Sequence, residues 1–127
     1  MTIMFVGDIH LGRRARLSAD ALNTVGIDPK ALTAARAFAS VVDCAIAHEV
    51  RAVVLAGDVV DRDKDRFEAY DVLERGARRL AESGIPVIAV AGNHDGLVLP
   101  RLARNLSSVQ LLGEGGCWEC IPIPGGG

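Results

Sequence analysis

Three short apolar runs, Thr2–Val6, Ala52–Ala56 and Pro86–Ala91, each stop at a glycine followed at once by an oxygen donor. The stops read Gly7-Asp8-Ile9-His10, Gly57-Asp58-Val59-Val60-Asp61 and Gly92-Asn93-His94-Asp95. Runs of this length without polar alternation are the pattern of strands covered on both faces, as in parallel sheets. The stretches between them repeat their apolar residues at helical spacing, and alternating strands and helices build an α/β fold. Ligands of open α/β sheets bind in the crevice outside the carboxyl ends of the strands. Asp8, His10, Asp58, Asn93 and His94 are therefore expected along one edge of one sheet.

The intervening elements follow from periodicity and stop signals. Asp28-Pro29 predicts the start of a helix, and Leu32, Ala35, Phe38, Val42, Ala45 and Ile46 form its sheet-facing side. Cys44 is expected in the core, and His48, at the far end of that helix, on the surface or as a cap. A second helix is predicted over Arg66–Glu82, with Phe67, Tyr70, Leu73, Ala77 and Leu80 facing inward and Gly84 ending it. Arg75, Arg78 and Arg79 fall on its outer side, which reads as a solvated face. Leu97–Leu106 predicts a short helix with more leucines than one face needs, leaving some for a partner. Val109–Leu112 is the fourth strand. Leu11–Val25 shows no sustained period and is expected to be a long loop. The expected architecture is a doubly wound α/β half-core with a mostly parallel sheet flanked by helices, in the order β-α-β-α-β-α-β.

Half of the 127 residues are hydrophobic but only 4% are aromatic, so the core must be built from Val, Leu, Ile and Ala, which favours α/β over a sandwich. A net charge of −2 provides no global attraction for nucleic acid, and any such binding must come from local basic patches or from metals. Three cysteines without a secretory signal point to a reducing cytoplasm. No apolar stretch is long enough to span a membrane.

Carboxylate, amide oxygen and imidazole together suit manganese, iron or zinc, whereas oxygen-only sites suit magnesium or calcium. No cysteine joins the group. A carboxylate such as Asp58 can bridge two cations that clamp the oxygens of an in-line displacement. The glycine before each donor is read as permitting a sharp turn off the strand and close approach of the backbone. Asp61 is placed as an outer carboxylate able to orient a ligand histidine, with helix capping as the other reading, and Asp95 is placed in the same outer layer. Arg13, Arg14 and Arg16 sit beside the site as contacts for a phosphate backbone, or else as a solvated run.

The series Gly-Asp-x-His, Gly-Asp-x-x-Asp, Gly-Asn-His-Asp resembles the first half of the calcineurin-like metallophosphoesterase superfamily over about Ile3 to Leu112. Asp8-Ile9-His10-Leu11-Gly12-Arg13, and Ser83-Gly84-Ile85-Pro86-Val87 leading into Gly92-Asn93-His94-Asp95, are most similar to the SbcD-type DNA-repair exonucleases. The resemblance implies that Asp8 and His10 bind one metal, that Asp58 bridges, and that Asn93 binds the other. It implies that His94 is a catalytic, non-ligand histidine acting on the transition state or the leaving oxygen. It further implies two divalent ions, manganese first, with iron, zinc or magnesium as alternatives. DNA is the implied substrate of the parent protein, and an SbcC-type ATPase subunit the implied partner; a homodimer is expected instead from self-association through the uncovered sheet edge or the Leu97–Leu106 segment.

The family pattern continues with a Gly-His and a Gly-His-x-His, and this sequence has neither; its remaining histidine is His48. The second ion is accordingly expected to be weak or absent in this chain. Phosphoprotein phosphatases carry Asp-Arg-Gly where this chain has Asp61-Arg62-Asp63, and usually Glu where it has Asp95. Cyclic-nucleotide phosphodiesterases share all three motifs. A catalytically inactive fragment or dimerising partner is the alternative from a different class. Residues 1–112 are read as the N-terminal part of a metallophosphoesterase domain, and 113–127 as a Gly-rich truncated tail holding six of the fourteen glycines. Within that tail Cys117-Trp118-Glu119-Cys120 is expected to be two thiols on a short strand.

Overall fold

In the computed structural model, which describes residues 1–13, 18–28, 32–62, 64, 66–93 and 95–123, four strands form one wholly parallel sheet. They are β1 (Ile3–Val6), β2 (Ala52–Ala56), β3 (Val87–Val90) and β4 (Val109–Leu112), and they lie side by side in chain order. The register aligns Met4, Val53, Val87 and Val109 in one row and Phe5, Val54, Ile88 and Gln110 in the next. Helix α1 (Ala19–Thr24) and helix α2 (Ala34–Ala47) lie between β1 and β2, helix α3 (Arg66–Glu82) between β2 and β3, and helix α4 (Val98–Ala103) between β3 and β4. The expected α/β half-core with a parallel sheet is therefore present.

The winding differs from the expectation. A doubly wound sheet reverses its strand order at a switch point, whereas the order β1-β2-β3-β4 has no reversal. Right-handed crossovers that always step the same way carry their helices to the same face. The burial agrees: Val53, Leu55, Val87, Ala89 and Val109 join Phe38, Val42, Leu73, Ala77, Leu80 and Leu99 in the core. On the opposite face Phe5 is 71% exposed, and Ala56, Val90 and Gln110 are also exposed. Ala52 and Ile88 are the buried positions of that face.

Several local elements differ from those the sequence predicts. The segment expected as a loop contains α1, started by the Ser18 hydroxyl, which accepts from the Ala21 N–H at 3.2 Å, and anchored by buried Leu22. Helix α2 starts at Thr33 rather than at Asp28. The Thr33 hydroxyl accepts from the Arg36 N–H at 3.2 Å and so satisfies a first-turn donor, and Pro29 lies outside the described residues. Phe67 is 74% exposed with the Arg66 guanidinium 5.0 Å from its ring centre, so the inner face of α3 begins later, at Ala69 and Leu73. Cys44 is exposed rather than in the core, while His48 caps its helix by placing Nδ1 2.9 Å from the Cys44 carbonyl oxygen. Of the surplus leucines, Leu99, Leu102 and Leu106 are buried and Leu97 is exposed. Cys117 and Cys120 follow a 3-10 turn at Glu114–Gly116 and belong to no strand.

Helix α3 packs against α2 through a small residue. A methyl group on Gly76 would run into the Phe38 ring and the Val42 side chain, so the two helices approach only because this position has no Cβ. The Arg79 guanidinium then reaches Asp43 on α2 at 2.7 Å, and Arg78 pairs with Glu74 one turn back. The exposed arginines of α3 are thus engaged with their own surface, as expected of a solvated face.

Candidate metal centre

The strands keep pairing past their own ends, and this builds the site. The Asp8 N–H donates to the Gly57 carbonyl oxygen at 3.3 Å, that of His10 to Asp58 at 2.9 Å and that of Leu11 to Val59 at 2.8 Å; the Asp61 N–H returns to Leu11 at 3.0 Å. Leu11 and Val60 complete an isolated parallel bridge, both side chains fully buried. On the other side, the Gly57 N–H donates to the Val90 carbonyl oxygen at 2.9 Å. The loops after β1 and β2 therefore leave the sheet zipped together. As a consequence, one ligand atom from each of Asp8, His10 and Asp58 lies within 4.8 Å of the others.

All three donors hold a left-handed backbone, with φ of 52° at Asp8, 50° at His10 and 49° at Asp58. Of the four non-glycine residues in that region among the described residues, three are these donors; the fourth, Glu49, lies just beyond the end of α2. A side-chain-bearing residue held there costs of order 1–3 kcal/mol and persists where surrounding bonds over-determine it, a condition concentrated at functional sites. The expectation that glycine makes each turn is thus met at Gly57 alone, where φ is 80°. Gly92 is needed for a different reason: a Cβ there would collide with the carboxylate and backbone nitrogen of Asp58.

The electrostatics of the cluster set the roles its atoms can take. His10 is largely buried, its Nδ1 lies 3.0 Å from Asp61 Oδ1, and its Nε2 lies 3.9 Å from Asp8 Oδ1. A carboxylate beside Nδ1 favours the tautomer protonated there, which leaves the Nε2 lone pair on the Asp8 side. Asp8 is 79% exposed and Asp58 half-buried, so both carboxylates remain accessible from solvent. Two carboxylates and one imidazole at this spacing fit a divalent cation of the manganese, iron or zinc type. Arg62 is exposed, with Nε 3.5 Å from Asp61 Oδ2, so its charge lies on the outer side of the same carboxylate.

At the end of β3 the arrangement changes. Asn93 is exposed, and His94 lies outside the described residues. Asp95 is wholly buried: its Oδ2 accepts from the N–H groups of Val59 at 2.6 Å and Val60 at 3.2 Å, and its Oδ1 accepts from the Gly92 N–H at 2.6 Å. Arg13 is exposed and follows the site directly, its N–H donating to the His10 carbonyl oxygen at 2.9 Å; Arg14 and Arg16 lie outside the described residues.

Over residues 1–127 the sequence matches the model of the calcineurin-like phosphoesterases. The chain belongs to that family. It is 31% identical over 93 residues to the DNA double-strand break repair protein Mre11 of Sulfurisphaera tokodaii, covering 73% of this chain and 22% of that protein. The identity to the protein of the same name from Aeropyrum pernix is also 31% over 93 residues, covering 73% and 20%. The uncharacterized metallophosphoesterase YhaO of Bacillus subtilis is 40% identical over 63 residues, 47% of this chain and 15% of that protein. This phosphoesterase chain thus spans about a fifth of the length of the Mre11 proteins it matches.

What the phosphoesterase motifs do not reveal as sequence is the division of labour among their aspartates. Spacing puts Asp95 behind the candidate ligands without giving it a partner, and its partners are backbone N–H groups up to 36 residues away in the chain. The one local signal is its place next to the Gly92-Asn93-His94 turn. No helix among the described residues is long and apolar enough to cross a membrane.

Proposed function

We propose that this chain carries the first part of the metal site of a phosphodiester hydrolase acting on DNA, of the SbcD exonuclease type. The convergence of Asp8, His10 and Asp58 within 4.8 Å at the carboxyl ends of β1 and β2 carries the reading. Divalent ions bound there, with manganese the favoured metal, supply charge neutralisation at the phosphate and activation of the attacking water. Asp8 and His10 would hold one ion, Asp58 would serve both, and Asn93 would serve the second. Asp61, 3.0 Å from His10 Nδ1, would orient the ring and leave Nε2 as the atom able to bind a metal. His94 acts on the transition state or on the leaving oxygen without binding metal. Arg13, with Arg14 and Arg16, takes the phosphate backbone of the substrate.

The similarity to proteins named for DNA double-strand break repair supports a DNA substrate over a cyclic nucleotide or a phosphoprotein. Against the phosphoprotein reading, Asp63 stands where those phosphatases carry Gly after the arginine, and Asp95 where they usually carry Glu. Residues 1–112 form the N-terminal part of the domain and 113–127 a tail. In a cytoplasmic setting the whole protein works with an SbcC-type ATPase partner.

Calorimetric titration of the purified chain with Mn²⁺, alongside assays on linear duplex DNA and on a small chromogenic phosphodiester, tests the proposal. One ion per chain at the Asp8-His10-Asp58 corner, a much weaker second ion and slow turnover are the expected results. Arg13→Ala should reduce the salt slope of DNA binding by about 1, the share of a single neutralised phosphate, with the chromogenic substrate unaffected. No Mn²⁺ binding, or binding unchanged in Asp58→Ala, overturns the reading.

A further inference from the structure

We propose that Asp95 is a positioning residue that sets the separation between the two metal positions by tying the loop after β2 to the loop after β3. The proposal rests on the reading that Asp58 and Asn93 face those positions. Val59 and Val60 directly follow Asp58, and Gly92 directly precedes Asn93. One planar carboxylate accepts from all three N–H groups, at 2.6, 3.2 and 2.6 Å, with no exposure to solvent. A rigid group about the size of a peptide unit therefore bridges the backbone beside both donors.

Three further observations give the bridge its function. The Cα of Gly92 lies so close to Asp58 that no side chain can be placed on it, so the two loops are in van der Waals contact at the donor itself. Asp58 is held at φ 49°, a conformation an aspartate leaves readily unless neighbouring bonds fix it, and Asp95 fixes the next two N–H groups. The opposite side of the β2 loop is pinned to the loop after β1, by the Leu11 N–H on the Val59 carbonyl oxygen. Asp95 thus completes a chain of bonds from the β1 loop through the β2 loop to the β3 loop. Carboxylate chemistry is required, because all three partners are donors. An asparagine presents an oxygen to one side only and sets its own NH₂ against an N–H on the other.

Co²⁺ titration of the full chain tests this, read by affinity and by the position and intensity of the visible absorption band, with folding followed by circular dichroism. Asp95→Asn is expected to fold, to bind Co²⁺ roughly 10- to 100-fold more weakly, the range seen when outer partners of metal sites are removed, and to shift the band. Gly76→Ala, which disturbs the α2–α3 packing far from the site, should lower the melting temperature with affinity and band unchanged. Asp95→Asn with wild-type affinity and band, while Asp58→Ala abolishes binding, overturns the role of Asp95 and leaves the metal reading standing. Failure of the wild-type chain to bind Co²⁺ overturns the metal reading, and this proposal with it. Should Asp95→Asn not fold, amide hydrogen exchange in the metal-free wild-type chain decides. The Val59, Val60 and Gly92 amides should exchange slowly and as a group, and fast exchange at any of them overturns the bridge.

Discussion

The two ends of the candidate site use the same side chain in opposite ways. At the ends of β1 and β2, Asp8 and Asp58 keep their carboxylates accessible and place them within 4.8 Å of an imidazole nitrogen. At the end of β3, Asp95 is wholly buried and its carboxylate is taken up by three backbone N–H groups. An ionised carboxylate needs either water, a cation or several hydrogen-bond donors, and its surroundings decide which. At one end the fold gathers two carboxylates beside an imidazole, the donor set of a cation site. At the other it supplies enough donors that the charge becomes a structural tie.

That contrast is broken most directly at Asp58. Asp58→Ala should weaken Mn²⁺ binding beyond the roughly 10- to 100-fold that removal of an outer partner costs, measured by calorimetry with the far-ultraviolet spectrum unchanged. A loss of fold without a separable loss of metal would place Asp58 with Asp95 as a structural acid. Asp61→Ala comes next, with a loss inside that roughly 10- to 100-fold range, since the His10 ring would lose the carboxylate 3.0 Å from its Nδ1. Unchanged affinity there would mean that the ring is held by its packing alone.

Asn93→Ala sharpens the comparison from the other end. It should leave the tighter Mn²⁺ step intact and remove only the weaker one, and loss of the tighter step would move Asn93 into the Asp8-His10-Asp58 group. The smallest effect concerns backbone strain. Glycine accepts the φ of 49° at position 58 without the penalty an alanine meets, so metal-free Asp58→Gly should be more stable to urea than Asp58→Ala by about 1 kcal/mol. Equal midpoints would show that the left-handed turn is set without cost.

The elements are legible in the sequence where their signals are local. The boundaries of β2, β4 and α3 agree with those read from the apolar runs and from Gly84, whose φ of 74° ends α3 as a glycine can. Helix α1 is not legible, because six residues with one buried leucine leave no period to read. The start of α2 is ambiguous because Asp28 and Thr33 are both cap-forming types, and local sequence does not rank them. Spacing alone turns Phe67 inward, but it lies in the first turn of α3, ahead of the first buried residue of that helix, Ala69.

By itself the sequence determined which residue types follow each strand, because an apolar run, a glycine and a polar donor are contiguous and act within a few bonds of one another. Parallel strands with helical crossovers then bring those donors to one edge. Only the tertiary structure decided how each was used. Gly-Asp-Val-Val-Asp and Gly-Asn-His-Asp look alike as strand exits, yet one of their aspartates lies half-buried beside an imidazole, one flanks that ring, and one holds two loops together. That outcome depends on which backbone N–H groups arrive from 35 and 36 residues away, and on Gly92 being bare enough to let Asp58 approach. The strand order was likewise a tertiary decision. Each crossover is compatible with either direction along the sheet, and only the assembled order β1-β2-β3-β4 gathers α2, α3 and α4 on one face and leaves Phe5 and Val90 exposed on the other.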